Sequence, residues 1–299
     1  MQLVKAAGIA YDKNTPHRVL CGLRRAEALQ GAEALVVEKG VGSMTVFLTS
    51  SPTGPLDNSR PVAGVDRKNG LVKNLRRYWP EKARCLMIAA DPEDREFNDG
   101  LCGDMVRLLG ESGFFCSAMD IWDDRSQDIS RETLHSYDVV ILGGGHVPTQ
   151  NDFFHRISLR GKLRGFRGLV LGISAGTMNC ADVVYAQPEL PGESVDPHYV
   201  RFLPGLGLTE LNILPHYQMV KDWSLDGKRL YEDITFGDSA GRVFLALPDG
   251  SYVLVEEGRV TLWGEAYRIA DGELRQICRD GENKRLLPGG CRLLEDCAR

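Results

Sequence analysis

The sequence predicts an α/β fold: a doubly wound, mostly parallel sheet with helices on both faces, plus a C-terminal antiparallel meander. Three observations carry this. From Met44 to Leu214, apolar runs rich in β-branched residues alternate with stretches of helical spacing. The run Leu169–Ile173 is apolar throughout, as a strand covered on both faces must be, and it leads into small residues. After Arg242 the texture changes to short strands divided by Asp249-Gly250, Glu257-Gly258 and Asp271-Gly272.

The elements follow in chain order. Residues 1–43 read differently from the rest and form an N-terminal extension. Residues 17–38 have helical spacing but no evident mate. Glu38-Lys39-Gly40-Val41, read back through the genetic code, permits a purine-rich, ribosome-binding-like tract just before Met44. Two readings stand: a translated, poorly ordered leader ahead of a natural start at Met44, or a genuine helical arm. Met44–Ser50 is the first strand, and Ser51–Asp66, rich in Pro, Gly, Ser and Asn, is a loop. Asn69–Tyr78 and Asn98–Ser112 have helical spacing, with Leu71, Leu75, Met105, Leu108 and Leu109 facing inward. Arg84–Ala90, Cys116–Ile121 and Tyr137–Leu142 are strands, the last running into Gly143-Gly144-Gly145. Phe153–Leu163 is expected as a helix, Leu169–Ile173 as a strand and Ala175–Val184 as the helix after it. Residues 186–206 contain Pro188, Pro191, Pro197 and Pro204 and read as a long loop or lid. Thr209–Leu214 is a strand ending at Pro215-His216, and Lys228–Thr235 has helical character. The meander Val243–Leu247, Tyr252–Glu256, Val260–Trp263 and Tyr267–Ala270 is expected to close one sheet edge. One domain over 44–275 and a charged, poorly ordered tail over 276–299 complete the reading.

Composition narrows the function. The 299 residues are 43% hydrophobic and 26% charged, as in a soluble globular chain. A net charge of -5 argues against a nucleic-acid partner, which would want a basic face. No apolar run approaches membrane-span length, so no membrane partner is expected, and no apolar signal core stands at the N-terminus. The eight cysteines are scattered without a Cys-x-x-Cys pair, which points to a reducing cytoplasm. The six histidines do not cluster with them at ligand spacing, and no metal or other cofactor is expected.

The chemistry centres on Gly172-Ile173-Ser174-Ala175-Gly176. A serine on a strand-to-helix turn has its hydroxyl exposed, and the amide that follows can face an oxyanion. The flanking glycines keep the bend uncrowded. A serine hydroxyl needs a base, and the base needs an orienting carboxylate. Ligands of a doubly wound sheet gather at the carboxyl ends of strands. His216 follows one such strand, His146 follows the glycine run, and Glu189 lies in the loop after the nucleophile helix. The order Ser174, Glu189, His216 is serine, acid, histidine. His146, Thr149 and Gln150 are polar residues placed to contact substrate.

Gly172–Gly176, Glu189-Leu190-Pro191 and Leu211-Asn212-Ile213-Leu214-Pro215-His216 together resemble the peptidase E (aspartyl dipeptidase) family, which includes the cyanophycinases. The resemblance covers 44–275, and Gly143–Gly145 matches the family's glycine turn. It implies a class I glutamine-amidotransferase-like fold. By the same resemblance Ser174 is the nucleophile, His216 the base, and Glu189 the triad acid where the dipeptidase usually has Asp. Glu193, Asp182 and Asp196 remain rival acids. The Ala175 amide, with that of Gly144 or Gly145, would form the oxyanion hole. The implied activity is a serine peptidase acting on small peptides, dipeptides with an acidic residue among them, as a monomer or homodimer. Arg156, Arg160, Arg201 and Lys221 are the candidate cations for an acidic substrate. Two other readings stay open: an amidotransferase-like relative, although that chemistry normally has cysteine at the elbow, and a binding or regulatory protein without turnover.

Overall fold

The structure is a computed structural model that describes residues 43–54 and 64–287. The expected helix at 17–38 and the proposed leader up to residue 42 lie outside the described residues.

Five strands build the centre; four of them are mainly apolar and buried, as strands covered on both faces must be, while the edge strand Cys116–Trp122 carries Ser117 and Asp120. They are β1 (Thr45–Thr49), β2 (Ala83–Ile88), β3 (Cys116–Trp122), β4 (Val139–Leu142) and β5 (Leu169–Ile173). They pair in parallel in the order β1-β5-β4-β2-β3. Side chains alternate between two cores. Val46, Leu48, Leu86, Ile88, Val140, Leu142 and Val170 face one side, where Phe153, Phe154, Leu159 and Leu163 cover them. Phe47, Cys85, Met87, Val139, Ile141, Leu169 and Leu171 face the other. There they meet α1 (Leu71–Leu75) and α2 (Arg95–Glu111). Helices on both faces make the sheet doubly wound, as expected.

The remaining strands and helices are β6 (Val183–Tyr185), β7 (Phe202–Pro204), β8 (Asn212–Leu214), β9 (Ser224–Leu225), β10 (Lys228–Arg229), β11 (Val243–Ala246), β12 (Tyr252–Glu256), β13 (Arg259–Trp263), β14 (Ala266–Ala270), β15 (Glu273–Cys278), β16 (Asn283–Leu286), α3 (Arg131–His135), α4 (Val147–Arg156), α5 (Leu159–Leu163), α6 (Ala175–Met178), α7 (Tyr217–Val220) and α8 (Phe236–Asp238). The meander does not close one edge as a unit. β12, β13 and β16 extend the main sheet antiparallel from β1, giving eight strands. β11, β14 and β15 form a second sheet with β8. Residues expected in a loose tail therefore carry paired strands, because β15 pairs with β14 and β16 with β13.

The expected helices differ in their bounds: Asn69–Tyr78 shortens to Leu71–Leu75, Asn98–Ser112 becomes Arg95–Glu111, and three others differ further. The helix expected over Phe153–Leu163 begins earlier, at Val147, with Pro148 in the first turn where its missing N–H costs nothing. It then breaks at Ser158, whose φ is 52°. The helix after Ser174 stops at Met178 and the chain becomes β6, because the Asn179 side chain is drawn into a buried amide network. Lys228–Thr235 divides into β10 and a π-helical turn, Leu230–Thr235. Among the described residues no helix is long and apolar enough to cross a membrane.

Candidate active site

Ser174 stands at the carboxyl end of β5 with φ 51° and ψ −113°. A residue with a side chain is held there only when its surroundings over-determine it. They do. The Ser174 amide donates to the Thr49 carbonyl at 3.2 Å, and the Thr177 hydroxyl donates to the same oxygen at 2.8 Å. The two glycines of the motif are there for space. A Cβ on Gly172 would lie 2.9 Å from Thr177 Oγ1, and one on Gly176 would lie 2.3 Å from the Leu142 carbonyl oxygen. The bend presses against β4, and only hydrogen fits between.

His216 follows β8 behind Pro215, with φ 57°. Its Nε2 lies 2.8 Å from Ser174 Oγ. Its Nδ1 lies 2.7 Å from Oδ1 of Asp249. Ser50, at the end of β1, ties the pair together. Its hydroxyl accepts from the His216 amide at 2.8 Å and donates to Asp249 Oδ1 at 2.8 Å. Gln218 Nε2 donates to Asp249 Oδ2 at 2.7 Å, while Gln218 Oε1 accepts from the Asp249 amide at 3.0 Å. The pair is buried, with Asp249 7% exposed and His216 5%, and Gln218 half-buried beside it. Burial pushes the Asp249 carboxyl up, but the hydrogen bond and charge of His216, with the Ser50 and Gln218 bonds, outweigh it. The net direction is down, so the group is held as a carboxylate.

The carboxylate beside His216 is thus Asp249 and not Glu189. Glu189 Oε1 instead accepts from the Val147 amide at 3.2 Å, at the start of α4. Burial raises its pKa, while His146 and the Val147 amide lower it and Glu193 adds to the rise. The rival acids are engaged elsewhere too. Asp182 pairs with Arg160 at 2.7 Å, and Asp196 accepts from the His198 amide at 2.8 Å. Glu193 pairs with His146 Nε2 at 2.8 Å.

The glycine turn comes up beside the serine. A Cβ on Gly144 would sit 3.4 Å from Ser174 Cβ, while one on Gly145 would collide with Ala90. Ala175 is buried at the first position of α6. Of the expected substrate contacts, His146 and Thr149 are half-buried and bonded to each other, Nδ1 to Oγ1, at 2.8 Å. Gln150 does not face the cleft. It is fully buried, its Nε2 donating to the Gly143 carbonyl at 2.8 Å and its Oε1 accepting from Asn179 at 3.0 Å.

Asp249 escaped the sequence reading because Asp-Gly reads first as a hairpin turn. The signal that finds it is the rule that found His216, the carboxyl end of a strand. β11 lies parallel to β8 with Ala246 opposite Leu214, so both chains leave the sheet at the same end.

A serine on a strained bend, its hydroxyl on a histidine and the histidine on a buried carboxylate, is the arrangement that defines the serine hydrolases as a class. Residues 92–263 match peptidase family S51, and the chain belongs to that family. Among solved structures, the chain is similar to a peptidase from an acI-B1 Actinobacterium. The TM-score is 0.52 at 15% identity, over 82% of this chain and 97% of that one. It is also similar to a putative peptidase E protein from Listeria monocytogenes EGD-e, with a TM-score of 0.48 at 13% identity over 79% of this chain and 99% of that one. The first likeness shows that the fold is shared. No curated protein matches this sequence.

Proposed function

We propose that this protein is a serine-type peptidase that cleaves small peptides, dipeptides with an acidic residue among them, through an acyl-enzyme on Ser174. The observation that carries the reading is the unbroken chain from Ser174 Oγ through both nitrogens of His216 to Asp249. Asp249, ionised, accepts a hydrogen bond from the Nδ1–H of His216, which keeps the proton on Nδ1 and leaves Nε2 free to take the serine proton. Ser174 Oγ attacks the scissile carbonyl, and the imidazolium that forms is stabilised by the carboxylate behind it. The oxyanion is received by the Ala175 amide and an amide of the glycine turn, with Gly144 the nearer of the two glycines to Ser174. His216 returns its proton to the leaving amine, and water then repeats the cycle on the acyl-enzyme.

For an acidic residue, Arg201 is the cation we choose. Its Nη1 is buried and lacks a hydrogen-bond partner among the described residues, although its Nε lies 3.7 Å from Asp238 Oδ2 and its guanidinium lies over Tyr199. Arg160 is held by Gly205 and Asp182, and Arg156 lies over Phe153. We place the protein in the cytoplasm, which the free thiols of Cys85, Cys180 and Cys278 support.

Fluorophosphonate labelling tests the reading. Wild type is expected to label at Ser174, Ser174→Ala not at all and His216→Ala far more slowly. A panel of dipeptides then reads specificity, and Arg201→Gln should raise KM for acidic substrates selectively. Folded wild type that neither labels nor hydrolyses any dipeptide would point to a binding or regulatory protein.

A further inference from the structure

Gln150 leaves the cleft but not the machinery. It belongs to a buried chain of three amides. Asn151 Nδ2 donates to the Pro204 carbonyl at 3.0 Å and to Asn179 Oδ1 at 2.9 Å. Asn179 Nδ2 donates to the Val147 carbonyl at 3.2 Å and to Gln150 Oε1 at 3.0 Å. Gln150 Nε2 ends the chain on the Gly143 carbonyl at 2.8 Å. Gln150 and Asn179 are 0% exposed and Asn151 is 3% exposed. The donors all run one way, so no amide in the chain can flip without leaving two donors or two acceptors face to face. Apolar side chains would fill the same space without the desolvation cost of three amides. What they could not do is aim a peptide group.

The group they aim is the one beside the nucleophile. The Gly143 amide is pinned to the Ile88 carbonyl at 3.0 Å, and its own carbonyl is pinned by Gln150. That carbonyl shares a planar peptide with the Gly144 N–H. In a trans peptide the two point in opposite directions. Pulling the carbonyl toward Gln150 therefore turns the Gly144 N–H the other way. The same network grips Asn179, one residue past α6, the short helix that follows Ser174. One buried chain thus sets the glycine turn relative to the serine bend.

We propose that Gln150 is a positioning residue that orients the Gly144 amide as an oxyanion donor, acting through the Gly143–Gly144 peptide plane. The proposal rests on the serine peptidase reading above.

Gln150→Met tests it by removing the donor at similar volume. The rate of fluorophosphonate labelling and kcat should each fall by about 10- to 100-fold, with KM little changed. Affinity for a peptide aldehyde, which forms a tetrahedral oxyanion on the serine, should fall by the same factor as kcat/KM. The acid limb of the kcat/KM profile should keep its midpoint, because His216 and Asp249 are untouched. If the methionine variant does not fold, Gln150→Leu, which also lacks the donor, should show the same losses. A folded variant with wild-type labelling and wild-type aldehyde affinity overturns the proposal and leaves the peptidase reading standing. A wild type that neither labels nor hydrolyses peptides overturns both.

Discussion

His216 Nδ1 and Asp249 Oδ1 lie 2.7 Å apart because the strands that deliver them run side by side in the same direction. β8 and β11 are neighbours in the second sheet, with Leu214 opposite Ala246. Each chain leaves its strand through a proline, Pro215 and Pro248, and places the functional residue next. The contact follows from strand pairing, so it does not depend on a flexible loop finding its place.

This separates two carboxylates by experiment. Asp249→Asn should fold and should lower kcat by about three to four orders of magnitude, since the amide favours the wrong imidazole tautomer. Glu189→Gln should cost less than about tenfold, roughly 1.4 kcal/mol. Dipeptide hydrolysis by the two purified variants decides between them. Equal losses would return Glu189 to the catalytic machinery.

Ser50 is the second point of control. Ser50→Ala removes the acceptor of the buried His216 amide and one donor to Asp249. An orphaned buried N–H costs about 1–3 kcal/mol of stability, and a lost bond to a charged group about 1.5–3 kcal/mol. Lower denaturant midpoints and a kcat reduced by about tenfold or more are expected. Glycine at position 50 should behave like alanine, and threonine should restore part of both, because only the hydroxyl matters.

How far these features are readable from sequence depends on how local they are. Leu169–Ile173 is legible because a strand covered on both faces admits no polar residue, Ser174 because it ends that run, and His216 because it ends the mostly apolar run Leu211–Leu214. Asp249 is hidden in a dipeptide whose ordinary meaning is a turn, and its partner β8 is joined to β11 by a long excursion through β9, β10 and a π-helical turn. Glu189 attracts attention by nearness in the chain, which says little about nearness in space. The sequence carries the helix after Ser174 on to Val184, past Asn179, because local propensity does not register an amide pulled sideways into the core. Gln150 is deceptive for a related reason. A polar residue next to a glycine turn looks like a substrate contact until its burial is known.

Acid should act on the two carboxyls in opposite directions. Asp249 has a folded pKa below its unfolded one, so the folded state binds fewer protons. It contributes stability above the ordinary carboxylate range and loses it as pH falls through the depressed folded value. Glu189 has a folded pKa above its unfolded one, so ionisation costs stability as pH rises through the raised value. Thermal unfolding across pH 3 to 8, roughly the carboxylate range and above, reads both. The deficit of Asp249→Asn should shrink toward the acid end. Glu189→Gln should gain melting temperature relative to wild type near neutrality and not at the acid end. A Glu189→Gln gain that is largest in acid would contradict the assignment.

The glycines supply a test of the bend itself. Gly176→Ala puts a Cβ 2.3 Å from the Leu142 carbonyl oxygen and 2.7 Å from its carbonyl carbon, both backbone atoms of a central strand. Neither can rotate away, so α6 must shift and carry Ser174 with it. Forcing a methyl group into a packed core costs about 1–3 kcal/mol, and displacement of the nucleophile should lower kcat as well. Gly161, inside α5, has open space where a Cβ would go. Gly161→Ala should instead stabilise by about 0.4–1 kcal/mol through the unfolded chain and leave kcat unchanged. Denaturant unfolding and dipeptide turnover on both variants make the comparison. A stable, fully active Gly176→Ala would mean that α6 is not pressed against β4, and the steric origin of the Gly-x-Ser-x-Gly pattern would have to be abandoned.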